Sequence, residues 1–218
     1  VIDSHKSLLS TNQITDFTAE VRAVRALFYY YAMDMFGNIP LVTSYDVALE
    51  QVVTNKRSEV FKFIVDELQA VAPVLADARS NTPGDYYGRV TRHVAHFLLA
   101  KLALNAEIYS DDNWTDSNRP DGKNIYFTVN GEKKNAWQAC IWYCQQLTDE
   151  GYELETDYAS NFIVHNENSK ENIFTIPLDK NLYPNEYHYQ FRSRHYKHGG
   201  AYGCAAENGT CATVSTVK

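Results

Sequence analysis

No stretch of this 218-residue chain approaches the ~20 consecutive apolar residues that a membrane-crossing helix requires. The G-x-S-x-G elbow, the phosphate loop, the dinucleotide fingerprint and the H-E-x-x-H motif are all missing, which removes the motif-borne hydrolase and nucleotide chemistries. Glycosidases need two carboxylates facing each other across a cleft. The adjacent pairs Asp111–Asp112 and Asp149–Glu150 would diverge instead, and they read as a solvated loop and a helix C-terminus. No catalytic residue and no cofactor is assigned. Positive charge is in short supply, with 20 Lys and Arg against 27 Asp and Glu and a formal charge of -7. That balance disfavours nucleic acid, whose non-specific affinity comes from counterions released by a basic surface.

Cysteine is sparse, at four residues. Cys140 and Cys144 stand four apart on an expected helix, share a face, and read as small core residues. Cys204 and Cys211 lie in a Gly-rich loop, where they either close a small disulfide ring or stay free. His188, His195 and His198 offer a His-x-x-His spacing but no third ligand, so no metal site is assigned.

What remains is an ordinary globular composition, 44% hydrophobic and 22% charged, with enough length to bury roughly 70% of the unfolded surface. One skew matters: 16 Tyr against 10 Phe, a bias toward rings that carry a hydroxyl and suit wet recognition surfaces. Periodicity predicts four helices. In the first, Phe17, Val21, Val24, Phe28, Tyr31 and Met35 form an apolar seam beside a stripe of Ala19, Ala23 and Ala26 that admits a close neighbour. Asp16 or Thr18 is expected to cap it, Glu20 to suit its positive end, and Gly37 with Pro40 to stop it.

The second helix carries Phe61, Ile64, Leu68, Val71 and Leu75, with Pro73 ending or kinking its last turn. The third runs from a Thr91 cap through Ala95, Leu99, Leu102, Ala106 and Tyr109. The fourth places Trp137, Ile141, Cys144 and Leu147 on its seam and stops at Gly151. Ser110 to Lys134 is a polar surface excursion with a short hairpin around Ile125–Thr128. From Tyr152 the texture changes: Glu171–Pro177 alternates like a short strand, and the tail is loop-rich. The pairing of helices with alanine stripes predicts a mainly α, TPR-like scaffold (1–151) supporting a strand-and-loop ligand face (152–218) within one domain.

Several segments resemble the SusD/RagB family in order along the chain. These are Arg22, Arg25, Ala26, Leu27, Tyr29 and Tyr30 leading into Phe36–Pro40; RSEVFKFIVDEL at Arg57–Leu68; Tyr87–Thr91 leading into LLAKLALNAEIY; Gly151–Leu154 with Asp157, Tyr158 and Phe162; and Glu171–Phe174. The resemblance implies TPR-like helix pairs, no catalysis, and capture of oligosaccharide, or in some relatives oligopeptide. It also implies a SusC-like TonB-dependent outer-membrane transporter as partner, and a cell-surface, lipid-anchored location. Members are typically more than twice this long, so the chain is expected to be part of such a domain, with N- and C-terminal portions absent. A TPR-like scaffold for protein partners is the reading outside ligand capture.

The ligand is expected on Tyr187 to Asn208. Tyr187, Tyr189, Tyr196 and Tyr202 supply flat rings to stack on a sugar, and Arg192, Arg194 and Asn208 supply forked hydrogen-bonding groups. The basic character of this run leaves an acidic sugar or a peptide terminus open. Trp137 is expected in the core. Trp114, in the polar excursion, either anchors that loop or meets the transporter or a ligand.

Overall fold

Residues 2–178 and Lys197 are described by a computed structural model. The chain divides into two compact units, Val1–Thr175 and Ile176–Lys218. The first unit is mainly helical, as expected, with two short two-stranded sheets among the described residues.

Helix α1 (Thr11–Phe36) starts earlier than expected. Its cap is Ser10, whose hydroxyl accepts from Gln13 N–H while the Gln13 side chain accepts from Ser10 N–H, a reciprocal capping box. Asp16, Thr18 and Glu20 therefore lie inside the helix, and Glu20 pairs with Arg89 ahead of the third helix. Gly37 ends α1 as expected, at φ 71° with its N–H on Met33 O. The chain then forms β1 (Ile39–Pro40), which pairs antiparallel with β2 (Thr54–Asn55). The Tyr29 hydroxyl holds this exit by accepting from Val42 N–H and donating to Val42 O.

Helix α2 (Arg57–Val71) is phased as expected: Phe61, Ile64, Leu68 and Val71 are buried, with Leu75 just beyond. Its first N–H groups are taken by distant side chains, Asn38 accepting from Arg57 N–H and Asp112 from Ser58 N–H. Asp111 is buried and Asp112 caps α2, so this acidic pair is structural rather than merely solvated. Helix α3 (Arg92–Leu104) buries Ala95, Leu99 and Leu102, and after a break at Asn105 the single turn α4 (Ala106–Tyr109) buries Ala106 and Tyr109. Thr91 occupies the cap position of α3, but its buried hydroxyl makes no capping bond. The expected hairpin forms as β3 (Tyr126–Val129) and β4 (Glu132–Asn135) around Asn130–Gly131. Both turn residues have positive φ, the backbone a tight two-residue hairpin demands. It leads into α5 (Ala136–Asp149).

α1 packs chiefly on α2, and α3 on α5. In the first and last of these helices most of the expected large-residue seam is not the packing face, although the α1 alanine stripe and Leu147 of α5 are buried as expected. Ala19, Ala23 and Ala26 of α1 are buried, whereas Val21, Phe28 and Met35 are 59–69% exposed. In α5 the buried face is Ala136, Ala139, Tyr143 and Leu147, while Ile141 and Cys144 are exposed and Cys140 is half-buried, so the cysteines are not core residues. The physical reason is the same in both. Alanine lets two helix backbones approach, and the bulky residues that dominate the periodicity fall on the opposite side. Trp137 is half-buried rather than core, and its indole lies so close to Gly122 that a Cβ there would stand 2.5 Å away. Trp114 is 75% exposed.

Ion pairs tie the first pair of helices together. Glu67 of α2 receives Arg22 at 2.6 Å and Arg25 at 2.5 Å from α1. Burial works against the ionised Glu67, but the two arginine hydrogen bonds outweigh it and hold its carboxyl below the usual range.

Candidate functional site

The strand expected at Glu171–Pro177 does not form among the described residues. Its first residues, Glu171 to Phe174, end a loop, residues 152–174, that folds back over α1 and α3. Gly151 turns the chain out of α5, and Asp157 then caps a 3-10 turn, Tyr158–Phe162, by accepting from Ala159 N–H. A buried polar chain holds the loop in place. Asn81 donates to Ser169 O at 2.7 Å, Ser169 Oγ donates to Asn161 Oδ1 at 2.6 Å, and the Asn161 amide donates to Glu171 Oε2 at 2.9 Å. Glu171 also accepts from Glu155 N–H, and Asn166 donates to Asn161 O. These bonds, Asn161 first, hold the Glu171 carboxyl below its usual range. From outside, Arg79 donates to Gly151 O and Lys170 O with its guanidinium 4.0 Å above the Tyr152 ring. Burial pushes the Tyr152 hydroxyl up to about 12.

The loop and the two helices enclose an open groove of about 770 Å³, within the size range of small-molecule sites. Its floor is Leu27, Val94 and Leu98, and one wall carries Ile173 and Phe174. The rim carries Tyr31, Phe97, Tyr158 and Phe162, with Lys101, Asn161 and Glu171 as polar groups. Tyr158 and Phe162 meet edge-on at 5.2 Å, and each is 70% exposed. Two rings held up to solvent by a loop tied down through this hydrogen-bond chain form a pre-organised stacking surface, which lowers the ordering cost of binding.

The expected ligand residues, Tyr187, Tyr189, Arg192, Arg194, Tyr196, Tyr202 and Asn208, lie outside the described residues, as do Cys204, Cys211 and His188, His195 and His198. In the sequence, Tyr158 and Phe162 stand out only as matches to the SusD/RagB pattern. The signal that could have marked them is local: Asp157 in a D-Y-x-x-x-F run is an Asx cap that places the two rings four apart, on one side of a turn. The network that fixes them spans residues 81 to 171 and has no local signature.

No protein-family model matches the chain. The starch-binding protein SusD of Bacteroides thetaiotaomicron is 26% identical over 160 residues, covering 73% of this chain and 24% of its own length. The structure of a laminarin-binding SusD-like protein, also 26% identical, superposes with a TM-score of 0.55 over 76% of this chain and 31% of that one. A SusD superfamily protein from Bacteroides vulgatus gives 0.59 at 18% identity, over 81% and 32% of the two chains. The chain thus spans about a quarter of the length of the curated relatives it matches. Similarity in sequence to SusD and in fold to several solved SusD-like structures agrees with the order of motifs along the chain, which over this stretch resembles SusD-like proteins.

Proposed function

We propose that this chain is part of a glycan-capturing protein of the cell surface, one that holds an oligosaccharide without cleaving it and passes it to a SusC-like TonB-dependent outer-membrane transporter. The surface location and lipid anchoring belong to the same proposal. The observation that carries the glycan reading is the groove rim, where Tyr158 and Phe162 stand exposed over a loop locked by the Asn81–Ser169–Asn161–Glu171 chain. Flat rings stack on the apolar face of a sugar, and the neighbouring Asn161, Glu171 and Lys101 supply polar groups for its hydroxyls. The names of two relatives, starch-binding and laminarin-binding, support the same ligand class. The tyrosines and arginines from Tyr187 to Asn208 form a second proposed contact surface.

An oligopeptide is the other reading, favoured by the aliphatic floor of Leu27, Val94 and Leu98, which suits apolar side chains better than hydroxyls. Calorimetric titration with a panel of polysaccharides and peptide mixtures tests the choice. Heat with a polysaccharide that disappears in a Tyr158→Ala, Phe162→Ala double variant supports glycan capture at the groove. Heat only with peptides moves the assignment to peptide capture, and none at all leaves protein–protein scaffolding.

A further inference from the structure

A second cluster, separate from the sugar-facing rim, joins three distant segments through one imidazole. His93, in the first turn of α3, is only 3% exposed. Its Nε2 lies 3.0 Å from Asp77 Oδ1, on the loop before α3, and 3.7 Å from Glu150 Oε2, at the end of α5. The three donor atoms all fall within 4.8 Å of one another. On the other side of the ring, Nδ1 is 3.1 Å from the Tyr152 hydroxyl.

A tetrahedral ion with bonds of about 2.0–2.1 Å sets its donor atoms roughly 3.3 Å apart. The two separations from Nε2 straddle that spacing and the third is no more than 4.8 Å, so an ion could sit among these atoms after modest rotation of the two carboxylate side chains. The surroundings meet the other requirements of a metal ligand set. A metal-bound imidazole keeps its remaining N–H on a fixed acceptor. The Tyr152 oxygen stands at that place, its ring pinned under Arg79 at 4.0 Å. Asp77 is oriented through its second oxygen, which accepts from Arg92 at 2.8 Å. Both carboxylate side chains are about half exposed, 49% for Asp77 and 46% for Glu150, which leaves a path for the ion and a position for water.

We propose that Asp77, His93 and Glu150 bind a divalent transition-metal ion, with Zn2+ the best fit, clamping the loop before α3 to the end of α5 behind the groove residue Tyr152. One imidazole with two carboxylates suits zinc or a neighbouring borderline ion. Calcium asks for six or more oxygens, and magnesium for an octahedron of oxygens and waters.

The test is Zn2+ titrated by calorimetry into the full, chelator-stripped chain at neutral pH, with Mg2+ as control and the thermal midpoint followed in parallel. The expected result is one ion per chain with a micromolar Kd, a raised midpoint, and no response to Mg2+. Glu150→Gln, at an exposed position that does not endanger folding, is expected to weaken Zn2+ binding at least tenfold, and His93→Gln to abolish it. If His93→Gln does not fold, Glu150→Gln and Asp77→Asn decide. The proposal is overturned by no uptake at about 1 mM Zn2+, or by uptake that Glu150→Gln and Asp77→Asn leave unchanged, which would place the ion on other histidines.

Discussion

Replacing Ala23 by leucine is expected to unfold this chain far more readily than replacing Phe28 by serine, although hydrophobicity alone argues the reverse. Ala23 is fully buried on the face of α1 that meets α2, while Phe28 is 69% exposed. Leucine adds three carbons to a closely packed helix contact, and overpacking of that kind typically costs about 1–3 kcal/mol. The alanine stripe is what sets the approach of the two helices, so a value at the upper end, roughly 2–3 kcal/mol, is expected. Phe28→Ser alters a side chain with few buried contacts and should stay within about 0.5 kcal/mol of the parent. Urea unfolding followed by far-UV circular dichroism reads both variants. With an m-value of about 2 kcal/mol/M, Ala23→Leu lowers the midpoint by about 1–1.5 M and Phe28→Ser by no more than about 0.25 M. Equal losses, or a larger loss for Phe28→Ser, would show that the large-residue seam is the true packing face and that α1 is rotated about its own axis.

The Glu67 knot is the next point of attack: Glu67→Ala strands Arg22 and Arg25 and should cost roughly 2 kcal/mol in the same urea assay, less than a fully buried pair because both arginines are about a third exposed. Acid should loosen the fold in two stages. Burial, reinforced by Arg92 and His93, pushes His96 down to about 4. The stability of its neutral packed state is therefore complete above the unfolded value near 6.5 and is lost as pH falls from 6.5 toward 4. The depressed Glu67 carboxyl adds a second loss, beginning below the ordinary carboxylate value and continuing as pH falls through its folded one. Urea midpoints against pH, with the His96 ring titrated by NMR, check both; a His96 titration near 6.5 would contradict the first. Tyr158→Ala and Phe162→Ala, at rings 70% exposed, should leave the midpoint within about 0.5 kcal/mol of the parent. Each should weaken glycan binding about tenfold, the equivalent of ~1.4 kcal/mol.

How far the sequence reveals this molecule depends on how many faces of each element are covered. α2 and α3 carry their large apolar residues on the faces that pack, so periodicity places Ile64, Leu68, Leu99 and Leu102 correctly in the core. α1 and α5 pack through alanines, and a search for large apolar residues picks Phe28, Met35 and Ile141 instead, which remain exposed. Two boundaries that periodicity misses carry local signals of their own: the S-x-x-Q box at Ser10–Gln13 and the Asn-Gly turn at Asn130–Gly131. The alternation at Glu171–Pro177 suggests a strand, yet a strand needs a partner ladder, and Ile173 and Phe174 pack on the helices instead. The groove is the least legible part. Its rings are visible as family matches, but the bonds that fix them join residues up to 88 positions apart. His93 likewise gives no signal, because Asp77 and Glu150 meet it only through the fold.

If ligand rests on the loop between Tyr152 and Phe174, the binding surface should be visible residue by residue. The measurement is a map of backbone amide shifts in the isotope-labelled chain, titrated with the oligosaccharide that gives heat in calorimetry. Saturable shifts are expected at Tyr158, Phe162, Asn161 and Lys101, with or without accompanying shifts from Tyr187 to Asn208. Shifts confined to the α2 and hairpin surfaces, with the 152–174 loop silent, would contradict capture at the groove.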